Sequence, residues 1–251
     1  MPADSIGKVW EESLKSARGY GTVSARQIHA LMSNEYVRLL ARFLKPESRV
    51  LEAGCGSGKF SLALAALGYD VVALDYSEQM LENVKASKKR AEHFFGRMQL
   101  ETVRGDIESF GVEDRSFDLV FNEGVIEHWL GRSDRVRVLG EMKRISRKFV
   151  AVIVPNGQHF AYEGWMRKGY PGYTMAPPMT LYRIEKLSGE FRSAGLDVWY
   201  KDGLDCWSFI NFWPRYAILK YPKAFLSRFV PLPRRLRSEL GINLMCIGRT
   251  Q

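Results

Sequence analysis

Short apolar runs, several of them rich in β-branched residues, alternate along the chain with longer segments whose apolar residues recur at helical spacing. Runs of the first kind are typical of buried strands, and the second spacing is typical of helices that pack on a sheet. The predicted strands are 49–53, 70–74, 100–104, 116–121, 149–154, 196–201 and 242–247, and the main helices between them are 57–67, 78–93, 133–146 and 181–194. Because strands that alternate with helices need right-handed crossovers, this order predicts an α/β fold with a mostly parallel sheet.

Two further helices are predicted before the first strand, at 5–18 and 24–44. We expect them to cover the sheet, because their apolar residues recur at roughly helical spacing. The alternative is that Trp10, Tyr20 or Arg26 closes over a ligand as part of a lid.

A glycine-rich turn joins the first strand to its helix. Glu52 ends the apolar run, and Gly54, Gly56 and Gly58 alternate in the turn that follows. Glycines let the backbone approach a ligand where any Cβ would clash, and the amides at a helix N-terminus favour an anionic group. The spacing fits neither a Walker A loop, which needs glycine at the position of Ala53, nor the GxGxxG fingerprint of dinucleotide-binding folds.

Polar residues also end the strands that follow. Asp75 comes about 20 residues after the turn, where a carboxylate can accept hydrogen bonds from both hydroxyls of a ribose. Asp106 follows the third strand, and Asn122 and Glu123 follow the fourth.

In this order the elements strongly resemble the motifs of the class I S-adenosylmethionine-dependent methyltransferases, over roughly 48–156 together with the last helix and the last two strands. The resemblance implies S-adenosyl-L-methionine as the cofactor. It also implies a Rossmann-like, seven-stranded, mostly parallel sheet with helices on both faces and an antiparallel last strand.

The resemblance also implies contacts to the methionine and ribose parts of the cofactor. The backbone of Gly54 and Gly56 would lie alongside this part of the ligand, and Glu52 would orient its methionine end. Asp75 would accept hydrogen bonds from the ribose hydroxyls, while the backbone carbonyl of Asn122 would hold the methionine ammonium.

Contacts to adenine are implied in the same way. Tyr76 and Met80 would pack on the ring, although core packing alone also explains both, and Asp106 with Ile107 would frame its edge. Cys55 fits a small filler of the turn better than a nucleophile. The predicted cofactor-binding residues are Glu52, Gly54, Cys55, Gly56, Gly58, Asp75, Tyr76, Met80, Asp106, Ile107, Asn122 and Glu123.

A further helix, predicted directly after the fourth strand, carries the catalytic candidates, Glu127 and His128. The run ending in Glu-His resembles the small-molecule branch that includes quinone-biosynthesis methyltransferases, some of which bind a divalent metal through Glu-x-x-Glu-His. Here Gly124 occupies the first glutamate position and Glu123 lies one residue too early, so no metal site is predicted. His128 is a candidate general base or a packing and ligand-orienting residue, and His159 is a second candidate base.

The chain is predicted to form a single methyltransferase domain over 1–251. Its parts are an N-terminal helical cap at 1–47, a cofactor-binding core at 48–156 and two insertions at 157–180 and 204–240. Because the sheet itself would bind the cofactor, we expect the cap and the insertions to bind the acceptor.

The second insertion mixes aromatic and basic residues. From Asp205 to Gln251 there are eight Lys or Arg against two acidic residues, a net charge of +6. This composition favours an anionic lipid surface or a lid over a lipid-like acceptor. A packing surface with solvated charges remains open, and RNA binding is a weaker alternative.

Composition limits the remaining classes. A formal net charge of +9 suits nucleic acid, anionic lipid or an acidic substrate without choosing among them. The three cysteines are widely spaced, which predicts a reducing compartment and no structural zinc. With neither a basic N-terminal segment followed by an apolar core nor a long apolar run, we expect a cytoplasmic protein, with peripheral membrane contact as a further expectation.

We therefore expect an enzyme that transfers a methyl group to an oxygen, nitrogen or carbon of a small or lipid-like acceptor. Asn122 is followed by Glu123 rather than by the Asn-Pro-Pro-Tyr signature, and a Pro-Cys nucleophile is absent, so DNA methylation is disfavoured. The alternatives are an RNA methyltransferase and a catalytically silent partner protein that binds the cofactor. The sequence leaves the acceptor and the oligomeric state open.

Overall fold

The computed structural model describes residues 21–159, 178–206 and 232–250. Its strands are β1 Arg49–Ala53, β2 Asp70–Asp75, β3 Leu100–Arg104, β4 Phe117–Glu123, β5 Ser146–Pro155, β6 Asp197–Leu204 and β7 Asn243–Arg249. Its helices are α1 Ala25–Met32, α2 Glu35–Ala41, α3 Lys59–Ala66, α4 Glu78–Phe95, α5 Arg132–Ile145, α6 Ile184–Ser193 and α7 Arg234–Leu240. Two short 3₁₀ turns, Ile107–Ser109 and Ile126–His128, follow β3 and β4.

The seven strands form one sheet in the order β3-β2-β1-β4-β5-β7-β6. Strands β1 to β5 pair in parallel, and β7 runs antiparallel to both β5 and β6. This confirms the Rossmann-like sheet and the antiparallel last strand. The order reverses between β1 and β4, and ligands of open α/β sheets bind at such a switch point, beyond the carboxyl ends of the strands.

Helices cover both faces of the sheet, as the resemblance implies. On one face α1 to α4 pack on the sheet through a core that includes Ile28, Leu40, Leu62 and Val84. On the other face α5 and α6 bury an apolar stripe that includes Leu139 and Phe191. Since nearly all residues of β1 and β4 and the central residues 150–154 of β5 are buried, the sheet is the middle layer of three.

The single helix predicted over 24–44 is wrong, because the segment forms two helices. The first, α1, ends at Met32, and α2 begins after Asn34, whose Oδ1 accepts a hydrogen bond from the backbone N–H of Tyr36 at 2.8 Å. A short polar side chain that bonds to nearby backbone groups competes with a continuing helix and favours a new N-cap.

Of the three residues named for a possible lid, Arg26 is the one that the structure describes. This exposed residue of α1 lines a surface cleft together with Arg90 and Phe94 of α4. The predicted helix 5–18, Trp10 and Tyr20 lie outside the described residues.

The predicted helix that carries Glu127 and His128 is also corrected. Both residues lie in the 3₁₀ turn Ile126–His128, and the regular helix α5 begins only at Arg132. The bounds of the other elements differ from the prediction by a few residues, with β4 extending to Glu123 and β6 to Leu204.

The second insertion lies between β6 and β7, close to the predicted range 204–240. Leu204 still pairs with Asn243 in the sheet, and the last residues of the range form α7. Residues 160–177 and 207–231, which make up most of both insertions, lie outside the described residues. Within the part that the structure describes, no helix combines the length and the apolar character needed to cross a membrane.

Candidate active site

The turn after β1 is built so that only glycine fits at two of its positions. Gly54, Gly56 and Gly58 all have left-handed backbone conformations, with φ of 78°, 51° and 68°. A Cβ on Gly54 would lie 2.7 Å from Val125, and one on Gly58 would lie 2.5 Å from Val84. The alternating glycines therefore reflect both the backbone conformation and close packing against neighbouring side chains.

Asp75 ties the end of β2 to this turn. Its Oδ2 accepts a hydrogen bond from Gly56 N at 2.7 Å, and its Oδ1 accepts one from Ser77 N at 2.9 Å. Burial raises the pKa of Asp75 above its ordinary value. Each carboxylate oxygen can accept more than one hydrogen bond, so Asp75 can hold the turn and still bind ligand hydroxyls.

Tyr76 and Met80 lie next to Asp75 in different environments. Tyr76 is 42% exposed, and the guanidinium of Arg104 lies 5.8 Å from its ring centroid. Met80 is buried, and its backbone N–H bonds to the N-cap Ser77 of α4. The aromatic face available to a ligand at this point therefore belongs to Tyr76.

Glu52 is buried and directed toward the start of α3. Its Oε2 accepts hydrogen bonds from the backbone N–H and the hydroxyl of Ser61, at 2.8 and 2.5 Å. Burial raises the pKa of Glu52 to about 8. In this position Glu52 fixes the first turn of α3 relative to β1.

The segment that follows β3 forms a small turn capped by Asp106. Asp106 accepts a hydrogen bond from Glu108 N through Oδ1 at 2.8 Å, and the adjoining Ile107 is buried.

In the glycine turn itself, Cys55 is also buried, and burial raises the pKa of its thiol well above the ordinary value. Such a thiol stays protonated, so Cys55 fills space in the turn.

The last two residues of β4, Asn122 and Glu123, lie on opposite sides of the strand. The side chain of Asn122 is fully buried, with Nδ2 3.4 Å from the sulfur of Met142, so its backbone is the part left for a ligand. The carboxylate of Glu123 lies 3.3 Å from Nζ of Lys59, the first residue of α3. Sequence reasoning missed Lys59, although a basic residue directly after the glycine turn is a visible signal.

Glu127 is a buried carboxyl group with an unsatisfied oxygen. It is 1% exposed, and its Oε2 has no hydrogen-bond partner among the described residues. Burial, reinforced by the nearby charge of Glu123, raises the pKa of Glu127 to about 8. A carboxyl group with such a pKa can exchange a proton near neutral pH.

His128 is held by backbone carbonyls. Its Nδ1 lies 3.2 Å from the carbonyl oxygen of Pro178, and the Gly124 carbonyl also interacts with the ring. Burial nevertheless lowers the pKa of His128 to about 4, so the imidazole is neutral near pH 7. The contact with Pro178 binds this turn to the segment that returns from the first insertion.

A second cluster of polar residues lies where β5 and β6 end and β7 begins. His159 is buried there, and burial lowers its pKa although the charge of Asp205 opposes this shift. The hydroxyl of Tyr36 accepts a hydrogen bond from Asn243 Nδ2 at 2.7 Å, and its ring stacks on Phe60 of α3. Nothing in the sequence pattern marks Tyr36 or Asn243 as neighbours of the site.

Comparison with known families finds a match in the part of the chain that carries these residues. Residues 51–154 match the family described as "Methyltransferase domain". The chain contains a class I methyltransferase domain. The matched segment begins within β1 and ends within β5, so it includes the glycine turn, Asp75, Asp106 and the segment after β4.

Named relatives of this methyltransferase domain act on different acceptors. The human eEF1A lysine and N-terminal methyltransferase is 26% identical over 149 residues, covering 53% of this chain and 21% of that protein. The malonyl-[acyl-carrier protein] O-methyltransferase of Methylovorus sp. is 33% identical over 135 residues, covering 51% of this chain and 43% of that protein. The chain therefore spans less than half the length of these curated relatives.

Solved structures share the fold at low sequence identity. The SAM-dependent methyltransferase of Methanosarcina mazei aligns with a TM-score of 0.60 at 16% identity, over 84% of this chain and 96% of that one. At this identity the likeness concerns the fold alone.

S-adenosylmethionine, the cofactor of this family, fits the residues at the switch point of the methyltransferase domain. The carboxyl groups of Glu52, Asp75, Glu123 and Glu127 lie close enough to influence one another or the thiol of Cys55 between them. The oxygen atoms of these groups can accept hydrogen bonds from the hydroxyls and the ammonium group of such a ligand.

Among residues 21–159, 178–206 and 232–250, no group of three or more His, Cys, Asp or Glu side chains is placed to hold a metal ion.

Proposed function

We propose that this chain transfers the methyl group of S-adenosylmethionine to an oxygen, nitrogen or carbon of a small or lipid-like acceptor. The observation that carries the proposal is the link between Asp75 and the glycine turn, a hydrogen bond of 2.7 Å from Gly56 N to Asp75 Oδ2 at the switch point, where we expect the nucleoside to bind. The buried carboxyl group of Glu127 lies after the adjoining strand β4.

The cofactor contacts follow from this geometry. Asp75 would accept hydrogen bonds from the ribose hydroxyls, and the exposed ring of Tyr76 would pack on adenine above the buried Met80. The backbone carbonyl of Asn122 would hold the ammonium group, and Glu123 would add a negative charge beside it.

The remaining contacts surround the two ends of the ligand. Asp106 would bind the amino group of adenine through its second carboxylate oxygen, with Ile107 against the ring edge. The backbone of Gly54 and Gly56 would lie alongside the methionine end. Glu52 would act on this end indirectly, by holding the first turn of α3 in place.

When bound, the cofactor supplies an already activated methyl group on a sulfonium. The protein then has to align the acceptor, exclude water and take up a proton where the acceptor releases one. We assign the proton uptake to the ionised form of Glu127, which is the minor form near pH 7 because the pKa of this group is about 8. Its buried Oε2 has no hydrogen-bond partner among the described residues. His128 would orient the acceptor side of the site as a neutral imidazole, and a role as base would need its Nε2.

The acceptor class rests on composition and on the relatives. One named relative is an eEF1A lysine and N-terminal methyltransferase and another is a malonyl-[acyl-carrier protein] O-methyltransferase, which supports nitrogen and oxygen acceptors alike. The aromatic and basic residues of 204–240 support an acceptor of lipid character, with contact to an anionic membrane surface.

Calorimetry with S-adenosylmethionine tests the site assignment. Replacing Asp75 with Ala removes the carboxylate proposed to bind the ribose, so we expect roughly 10- to 100-fold weaker binding. Asp197→Ala, at an exposed aspartate that begins β6, is the matched control and should bind like the unaltered protein. Equal affinity of the Asp75→Ala and unaltered proteins would contradict the assignment.

Turnover is tested separately. Incubating the protein with methyl-labelled cofactor and a lysate of its source organism should label one or a few molecules, which mass spectrometry can identify. Tight cofactor binding with no labelled product would instead favour a catalytically silent partner protein.

A further inference from the structure

Arg135 on α5 is a charged residue in the interior of the protein. Its side chain is 3% exposed, and Nη2 lies 2.7 Å from Oε1 of Glu190 on α6, whose side chain is 2% exposed. The hydroxyl of Tyr182 donates a hydrogen bond to the other carboxylate oxygen of Glu190 at 2.6 Å. The ion pair is therefore buried and satisfied on both sides.

The rest of the guanidinium binds the segment that follows Glu127 and His128. Nη1 lies 2.7 Å from the carbonyl oxygens of both Trp129 and Leu130. These carbonyls connect the 3₁₀ turn to α5, and no regular secondary structure satisfies them. Arg135 thus fixes the chain directly after the turn.

The same nitrogen reaches the segment that returns from the first insertion. Nη1 lies 3.1 Å from Oγ1 of Thr180, and the backbone N–H of Thr180 donates to the carbonyl oxygen of Glu127 at 2.7 Å. Two residues earlier, the Pro178 carbonyl contacts His128. Arg135 therefore touches both segments that hold Glu127 and His128 in place.

Stability alone is a weak reason for this arrangement. A buried ion pair can often be replaced by apolar residues without loss of stability, because desolvation offsets much of the attraction between the charges. Arg135 also interrupts an apolar stripe of α5 formed by Val138, Leu139 and Met142. What a guanidinium adds over an apolar side chain is its set of directed N–H groups, which suits a role in positioning.

We propose that Arg135, held by Glu190, is the positioning residue for Glu127. It acts through the carbonyls of Trp129 and Leu130 and through Thr180. This extends the proposed function, since it assumes that Glu127 takes part in the reaction. The geometric claim, that Arg135 keeps Glu127 in its buried position, can be tested without cofactor or acceptor.

The test compares three backgrounds, each with and without Glu127→Gln. They are the unaltered protein, the charge-neutral pair Arg135→Met with Glu190→Gln, and Arg137→Met. The Glu190→Gln change keeps an acceptor for the hydroxyl of Tyr182, and Arg137 is the matched control because it lies on the same helix with its side chain 55% exposed. Urea unfolding from pH 5 to 9 gives the effect of Glu127→Gln at each pH.

In the unaltered and Arg137→Met backgrounds, the effect of Glu127→Gln on the free energy of unfolding should change with pH and level off above the Glu127 pKa of about 8. The bend in this profile gives the midpoint of the Glu127 titration in the folded protein. In the double variant the turn is released and the carboxyl group reaches water, so we expect the midpoint to fall by at least roughly one pH unit. Glu123, Tyr182 and His128 lie beside Glu127 in all three backgrounds and do not change. An identical midpoint in the three backgrounds would overturn the proposal.

Two further measurements separate positioning from general destabilisation. Hydrogen exchange at the Thr180 amide should be roughly 10-fold faster or more in the double variant and unchanged in Arg137→Met. Once a labelled acceptor is known, the double variant should lose kcat roughly 10- to 100-fold while its KM for the cofactor is kept. Unchanged Thr180 exchange, or a loss confined to cofactor binding, would overturn the proposal.

Arg135→Lys replaces the double variant if that protein does not fold. It keeps the charge opposite Glu190, but a single ammonium group cannot span Glu190, two carbonyls and Thr180. We expect the same downward shift of the Glu127 midpoint, and a midpoint equal to that of the unaltered protein would again overturn the proposal. Absence of methyl transfer in the unaltered protein would contradict the proposed function and leave the result on Glu127 positioning in force.

Discussion

At the scale of single residues, the most informative groups are carboxyl groups that lie in the interior. Glu52 is satisfied by Ser61, whereas Glu127 keeps one oxygen without a hydrogen-bond partner among the described residues. Burial raises the pKa of both to about 8, so both are mostly protonated near pH 7. The difference lies in the hydrogen bonds, and it marks Glu127 as the group available for proton exchange.

Glu127→Gln should therefore change how stability depends on pH. The folded protein keeps the Glu127 proton up to about pH 8, while the unfolded chain loses it near the ordinary pKa of 4.5. This contribution to stability is fully present below pH 4.5 and is lost as the pH rises toward 8. The variant has no carboxyl group at this position and so does not lose this stability as the pH rises. The difference in free energy of unfolding, variant minus unaltered protein, should therefore increase by about 1.4 kcal/mol per pH unit in this window.

Urea unfolding at several pH values across this window measures the difference. Glu113→Gln, at an exposed glutamate between β3 and β4, is the matched control and should show no such trend. Parallel pH profiles for Glu127→Gln and the unaltered protein would mean that Glu127 is not buried as described.

At the scale of elements, the glycine turn and α4 depend on each other. Gly58 combines a φ of 68° with a position where a Cβ would lie 2.5 Å from Val84 of α4. Strain and overpacking act together at this position, so Gly58→Ala should destabilise the protein by roughly 2–4 kcal/mol.

A glycine in regular helix gives the opposite expectation. Gly140 lies within α5, and a Cβ there would meet nothing within 4 Å. Gly140→Ala should therefore stabilise the protein by about 0.5–1 kcal/mol. Thermal and urea unfolding of both variants measures the contrast, and a Gly58→Ala protein as stable as Gly140→Ala would argue against the close packing of the turn on α4.

At the scale of the whole molecule, charge is distributed unevenly. Acidic groups gather at the switch point of the sheet, while the residues from 205 to 251 carry a net charge of +6. The first feature supplies hydrogen-bond acceptors for the cofactor, and the second favours an anionic surface. We therefore expect the chain to hold the cofactor through one region and to approach an anionic membrane surface through another.

Flotation with vesicles tests the second region. The full-length protein should bind vesicles with anionic lipid, release them as the salt concentration rises, and bind neutral vesicles weakly. Replacing both Lys220 and Lys223 with Gln should weaken binding several-fold, since each basic residue near such a surface contributes about 1 kcal/mol. Replacing Lys88 and Lys89 of α4 in the same way is the matched control. Equal binding to neutral and anionic vesicles would contradict membrane contact through charge.

The described sheet was predictable because its signals are local. Apolar runs, helical spacing and the alternation of Gly54, Gly56 and Gly58 depend on residues near each other in sequence, and Asp75 follows at a spacing set by one strand, one helix and another strand. Errors arose where a short polar side chain changed the local outcome, as when Asn34 began a new helix within 24–44.

The sequence by itself determined the order of elements and the residues at the ends of β1 to β4, because backbone propensity and turn chemistry act over short distances. Only the tertiary structure decided which charged residues are buried, because burial depends on chain segments far apart in sequence. Arg135 and Glu190 replace apolar residues in the stripes of α5 and α6, which the sequence shows. That they meet each other, and that Arg135 then holds the segments around Glu127, follows only from the packing of the two helices on one face of the sheet.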